Sequence, residues 1–121
     1  MNQLFQDIRQ AREDVESSIK RTQFVQSTTL SDLLSCQVFL KFENHQFTAS
    51  FKERGALNRI LSMSAEERTK GVIAASAGNH AQGLAYHANQ HGIRSVIVMP
   101  RIAPQVKVTH SRALGAGVVL Y

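Results

Sequence analysis

Leu4, Ile8, Ala11, Val15 and Ile19 recur at steps of four and three, with polar residues between them. That is one apolar stripe of an amphipathic surface helix. Thr28 to Ser35 mixes Ser and Thr with Leu30, Leu33 and Leu34, and reads as a loop with a short helical turn. Val38 to Phe42 is a short run of strand formers, followed by a loop from His45 to Ala49. Ser50 and Glu53 have the spacing of a capping box, which predicts a helix through Ala56, Leu57, Ile60 and Leu61. Ser64 and Glu67 repeat that signal for a second helix ending near Gly71.

From there the texture changes. Val72 to Ala75 is an apolar run, Asn79 to His91 a helical segment closed by Gly92, and Ser95 to Met99 a second apolar run. Pro104 suits the first turn of a helix ending at Gly115, and Val118 to Leu120 is a third strand. Strand, helix, strand, helix, strand with short links is the parallel, doubly wound α/β pattern. The predicted fold is therefore α/β: a parallel βαβαβ unit preceded by an N-terminal helix and a short strand. Such strands expect helices on both faces, and the chain has too few layers for that. The expectation is the N-terminal part of a larger protein.

Composition narrows the classes. With 121 residues, 43% hydrophobic and only 2 Pro, the chain suits one modest globular domain rather than a disordered or low-complexity segment. No apolar run approaches the roughly 18 residues of a membrane span, and Met1 to Arg12 lacks the apolar stretch of a secretory signal. The single cysteine, Cys36, is read as a small core residue and fits a reducing cytoplasm. The formal charge is +5, and every acidic residue lies at or before Glu67. A surface that meets anions is one reading; an acidic counterpart in chain not present is the simpler one. The later cations stand singly with no aromatic ladder between them, which speaks against nucleic acid.

Three groups of residues could carry chemistry. Ser76-Ala77-Gly78-Asn79-His80-Ala81-Gln82-Gly83 forms a turn between a buried strand and a helix. At the carboxyl end of a parallel strand, free amides and a positive helix end make an anion cradle. Gly78 allows close backbone approach, Ser76 and Asn79 add hydrogen bonds, and Gly83 lets the helix pack tightly on the sheet. The segment matches neither a P-loop nor G-x-G-x-x-G, and by spacing alone it is equally an ordinary turn capped by Ser or Asn. Lys52 falls at the second position of a capped helix, whose positive end disfavours an ammonium. A neutral amine is what imine chemistry needs, although a lysine near a helix start is ordinarily a solvated surface residue. His80, His87 and His91 share one helical stripe within about 20°. His87 and His91 have the spacing of a metal pair, but no carboxylate accompanies them and no metal is expected.

Phe47 to Ala56, followed by Ser76 to Gly83, resembles the threonine dehydratase (threonine ammonia-lyase) family of pyridoxal-phosphate enzymes with the tryptophan-synthase-β fold. Leu40 to Asn44, Met99-Pro100-Arg101 and Thr109 to Leu120 fit as well, so the resemblance runs from about Asp14 onward. It implies that Lys52 forms the imine with pyridoxal 5'-phosphate and later moves the substrate α-proton. Phe51 would lie against the pyridine ring, and Asn79 would bond the ring hydroxyl. Ser76, Gly78, Asn79 and His80 would surround the carboxylate of an amino-acid substrate. The implied reaction is β-elimination of L-threonine, or L-serine, to a 2-oxo acid and ammonia.

The resemblance also implies a homo-oligomer, with residues 1–50 opening the larger domain of an incomplete two-domain, fold type II protein and residues 51–121 forming most of the smaller one. The phosphate loop and the partner of the pyridine nitrogen would lie beyond Tyr121, so the chain alone is expected to be inactive. A non-catalytic anion-binding module of the same fold is the alternative. Gln23 stands where the family has Pro, and Ala49 where it has Gly, with an ordinary φ expected there. Ala77 replaces a second Ser of related serine racemases, which favours elimination over racemisation. Cysteine synthases lack the His of Gly78-Asn79-His80, which disfavours a sulfhydrylase.

Overall fold

The computed structural model describes residues 2–121. Helix α1 (Gln3–Val15) starts where the Asn2 side chain accepts the Leu4 N–H, and gives way to a 3₁₀ turn at Glu16–Ser18 before reaching Ile19. Strand β1 (Phe24–Gln26) pairs antiparallel with β2 (Phe39–Lys41), Phe24 opposite Lys41. Helix α2 (Thr28–Leu34) fills the connection, its start capped by the Ser27 hydroxyl. The Ser/Thr segment is thus a full helix rather than a loop with one turn. β1 was not expected at all: three residues without alternation acquire strand geometry only through their partner. Cys36 is exposed rather than core, because it follows the left-handed Ser35 at the outer end of α2.

Helix α3 (Lys52–Leu61) leads into α4 (Ala65–Lys70), where the Ser64/Glu67 capping box forms as the spacing predicts. At α3 the corresponding box does not form. Ser50 Oγ accepts the Lys52 N–H, which makes Lys52 the first helical residue rather than the second. Glu53 turns inward instead of back to Ser50 and accepts the Thr48 N–H. A carboxylate with a buried amide within reach satisfies that donor. Ala49 has φ +54°, not an ordinary value. Its amide closes a turn onto the Gln46 carbonyl, and just after that turn Ala49 occupies the left-handed region, where a Cβ is strained.

The second half is a parallel sheet in the order β3 (Val72–Ala75), β4 (Ser95–Met99), β5 (Gly117–Leu120). Helix α5 (Asn79–Gln90) joins the first pair and α6 (Gln105–Ala113) the second. Pro104 stands immediately before α6. Both helices pack on one face of the sheet, where Ala74, Ile97, Met99 and Val118 meet Ala81, Leu84, Ala85, Ala88 and Val108. Ile60, Ala56 and Met63 of α3 and its following turn complete this core. Each fully buried Ile or Met side chain contributes about 1.5–3 kcal/mol. The opposite face carries the rows Ile73–Val96–Gly117 and Ala75–Val98–Val119, and it is open, with Ile73 72% exposed.

Candidate active site

The Ser76 to Gly83 turn leaves the carboxyl end of β3, as the pattern predicts, held there by the Ser76 N–H on the Val98 carbonyl at 3.1 Å. Ser76 Oγ accepts the Gly78 N–H at 3.2 Å, which shapes the turn instead of capping the helix. α5 therefore begins without any side-chain cap. Its first amides have no intrahelical partner, and Asn79 and His80 are exposed beside them. An uncapped start at this position accepts an anionic group.

Gly83 joins this turn to the lysine motif. A Cβ at Gly83 would sit 3.2 Å from the Glu53 nitrogen and 3.3 Å from the Lys52 carbonyl carbon. The glycine is needed for close packing of α5 on the first turn of α3, not on the sheet as its spacing suggested. Asn79 lies one turn earlier on the same face of α5. Two motifs far apart in sequence thus share a single helix–helix contact.

Lys52 is exposed and forms no ion pair among the described residues. Its Nζ stands 4.8 Å from the centroid of the exposed Phe51 ring. Arg54, two residues from Lys52, is taken up by Glu43 at 2.7 and 2.8 Å. Glu43 also accepts the Thr22 hydroxyl at 2.6 Å. The Arg54 guanidinium, with the Thr22 hydroxyl adding to it against partial burial, holds the Glu43 carboxyl at about 2. His80 lines a separate cavity of about 340 Å³ with Gly55, Arg59 and Ile73, at the free edge of β3.

Glu53 and His87 were not assigned to the site by sequence. Both are buried, with His87 Nε2 3.6 Å from Glu53 Oε2 across the α3–α5 contact. Burial pushes the His87 imidazole below its ordinary range, while the Glu53 charge works the other way. The available signals were a glutamate taken for a helix cap and a histidine inside an apolar helical stripe. Among the described residues no group of three or more His, Cys, Asp or Glu could hold a metal ion. Nor is any helix long and apolar enough to cross a membrane.

Residues 15–121 match the family described as pyridoxal-phosphate dependent enzyme, and the chain belongs to that family. It is 50% identical over 115 residues to an L-threonine ammonia-lyase of Thermotoga maritima, a match covering 95% of this chain and 29% of that protein. A catabolic L-threonine dehydratase of Staphylococcus aureus is 49% identical, with 94% of this chain and 33% of that protein covered. Among solved structures, threonine deaminase isoform 2 of Solanum lycopersicum superposes with a TM-score of 0.87 and 42% identity, covering 98% of this chain and 35% of that one. Serine racemase of Dictyostelium discoideum gives a TM-score of 0.91 at 37% identity, covering 95% and 38%. The chain spans about a third of the length of the curated relatives it matches. The α/β fold is that of these fold type II enzymes. An exposed amine, an aromatic ring beside it and an uncapped helix start with Asn79 fit the aldehyde, pyridine ring and hydroxyl of the family's coenzyme.

Proposed function

We propose that this chain carries the coenzyme lysine and the substrate cradle of a threonine ammonia-lyase, which converts L-threonine, or L-serine, to a 2-oxo acid and ammonia. The observation that supports this most is the contact of Gly83 with Lys52 and Glu53, which brings the two motifs together in a chain half identical to enzymes of that name. Residues 51–121 would form most of the smaller domain and residues 1–50 the opening of the larger one, in a cytoplasmic homo-oligomer.

When bound, pyridoxal phosphate supplies the electron sink that stabilises negative charge at the substrate α-carbon. Lys52 Nζ would hold the coenzyme, and an amine at that position would take the substrate α-proton. The exposed Phe51 ring would lie against the pyridine ring, and the Asn79 amide would hold the ring hydroxyl. The turn Ser76, Gly78, Asn79 and His80 receives the substrate carboxylate, where the uncapped start of α5 favours negative charge. Ala77 places a methyl group where a racemase-type acid would need a hydroxyl, so protons move on one face only and elimination is favoured.

The test uses the complete protein. Lys52→Ala should abolish 2-oxobutanoate formation, and borohydride should leave the coenzyme's mass on the Lys52 peptide of the parent. Turnover retained in Lys52→Ala sinks the assignment. Phosphate-ester binding without an adduct would favour the anion-binding module instead. Ala77→Ser should admit measurable serine racemisation, and a rate equal to the parent's would refute the reading of Ala77.

A further inference from the structure

Glu53 Oε2 and His87 Nε2 are buried polar atoms with no hydrogen-bond partner. At 3.6 Å they are at ion-pair distance, too far apart for a hydrogen bond. An isolated buried charge costs several kcal/mol, so a loose contact of this kind requires a reason. The other Glu53 oxygen accepts the Thr48 N–H, in the segment that leads into Phe51 and Lys52. On α5, Asn79, Gly83 and His87 are four residues apart and form one stripe. Gly83 meets the backbone of Lys52 and Glu53, and His87 meets the Glu53 carboxylate. This stripe registers α5 on the first turn of α3, with Asn79 at one end and the carboxylate–imidazole pair at the other.

We propose that Glu53 and His87 are positioning residues for Lys52, a buried pair that holds the first turn of α3 in register with α5 and changes its grip when the imidazole takes up a proton. The inference rests on the role given to Lys52 above. With a neutral ring, Nε2 faces Glu53 Oε2 without a hydrogen bond, one residue along the chain from Lys52. A proton on the ring strengthens its attraction to the carboxylate and draws the two groups together, and Glu53 is covalently next to Lys52.

The ring borders a cavity of about 310 Å³ lined by Ser17, Ser18, Phe47 and Tyr86, through which a proton reaches it. The other titratable groups around the pair are Tyr86 and His91 on α5, and Arg54 on α3, already engaged by Glu43. Lys20 stacks over Phe47 at 4.6 Å, and Glu16 lines a different cavity with Arg12. Strands β3 and β4 bring no titratable residue, and Lys107, His110 and Arg112 of α6 are exposed.

The experiment follows coenzyme incorporation at Lys52 against pH when pyridoxal phosphate is added back to the complete, coenzyme-stripped protein, by borohydride reduction and peptide mass, alongside NMR titration of the His87 ring. The incorporation rate should inflect where His87 itself titrates. Glu53→Gln removes the carboxylate's attraction, so both inflections should move to lower pH and incorporation should slow about tenfold. His87→Gln should abolish the inflection. An inflection that does not follow His87 in the parent, or that stays in place in Glu53→Gln, overturns the proposal. If the single variants do not fold, Glu53→Leu combined with His87→Leu replaces the pair by apolar groups, a change that buried pairs tolerate. That double variant should lose the inflection, and its retention overturns the proposal equally. No adduct at Lys52 in the parent at any pH defeats the functional reading and this one together. An adduct with a variant-independent pH profile defeats this one alone.

Discussion

The segment before α3 and the α/β unit after it are held by different forces. In the unit, Ile60, Ala81, Ala85, Ile97 and Met99 are almost wholly buried in one continuous core. Before α3, Leu4, Phe5, Ile8, Phe24, Leu33 and Leu34 are largely exposed, and among the described residues only Val15 is a buried apolar one. What fastens that segment is polar. Glu43 binds Arg54 and Thr22, Lys41 Nζ donates to the Thr22 carbonyl at 2.7 Å, and Gln46 bonds both the amide and carbonyl of Lys20. An apolar core resists local change until it opens as a whole, whereas a few charge-assisted bonds can be titrated or deleted one at a time.

Ile97→Ala should have the largest effect, a loss of about 2–5 kcal/mol, because a fully buried side chain leaves a cavity at the centre of the sheet. Denaturant melting would register it as a shift of the whole transition. Glu43→Ala should lose about 1–3 kcal/mol by stranding a half-buried guanidinium. Hydrogen exchange should then quicken across residues 20–48 while β3 to β5 keep their protection. Equal quickening in both regions would erase the contrast drawn here.

Acid should separate the two halves in sequence. The folded His87 value is depressed, so the unfolded chain binds the proton more readily. Its contribution is complete above about 6.5 and is lost as pH falls below that value. Glu43 is also depressed, and its contribution is present above its ordinary value of 4.5 and lost as pH falls through about 2. Exchange at the α3–α5 joint should therefore quicken first, and the segment before α3 second. Reversal of that order would contradict the assignment of forces.

Ala49→Gly should stabilise by about 1 kcal/mol, since φ +54° strains a residue with a Cβ more than the added unfolded-state freedom of glycine costs. A change of the opposite sign in the melting midpoint would show that the turn is unstrained. Leu33→Ser, at a side chain 75% exposed, should change stability by less than about 0.5 kcal/mol.

The amino-acid sequence by itself determined the elements with local signals. Ser64 and Glu67 cap α4 as their spacing requires, the apolar runs become β3, β4 and β5, and α5 and α6 stop just before Gly92 and Gly115. Lys52 and the Ser76 to His80 turn were also legible, because a motif at a helix start or a strand end is written in consecutive residues. Tertiary structure alone decided the rest. Glu53 has the spacing of a cap, yet the Thr48 amide and His87 claim it, and neither can be known before α3 meets α5. Gly83 faces a helix instead of the sheet, Ala49 takes a positive φ at the end of the Gln46 turn, and β1 exists only because β2 lies beside it. Capping and periodicity act within a few residues, whereas the partner of a buried polar group is set by whichever distant element packing brings against it.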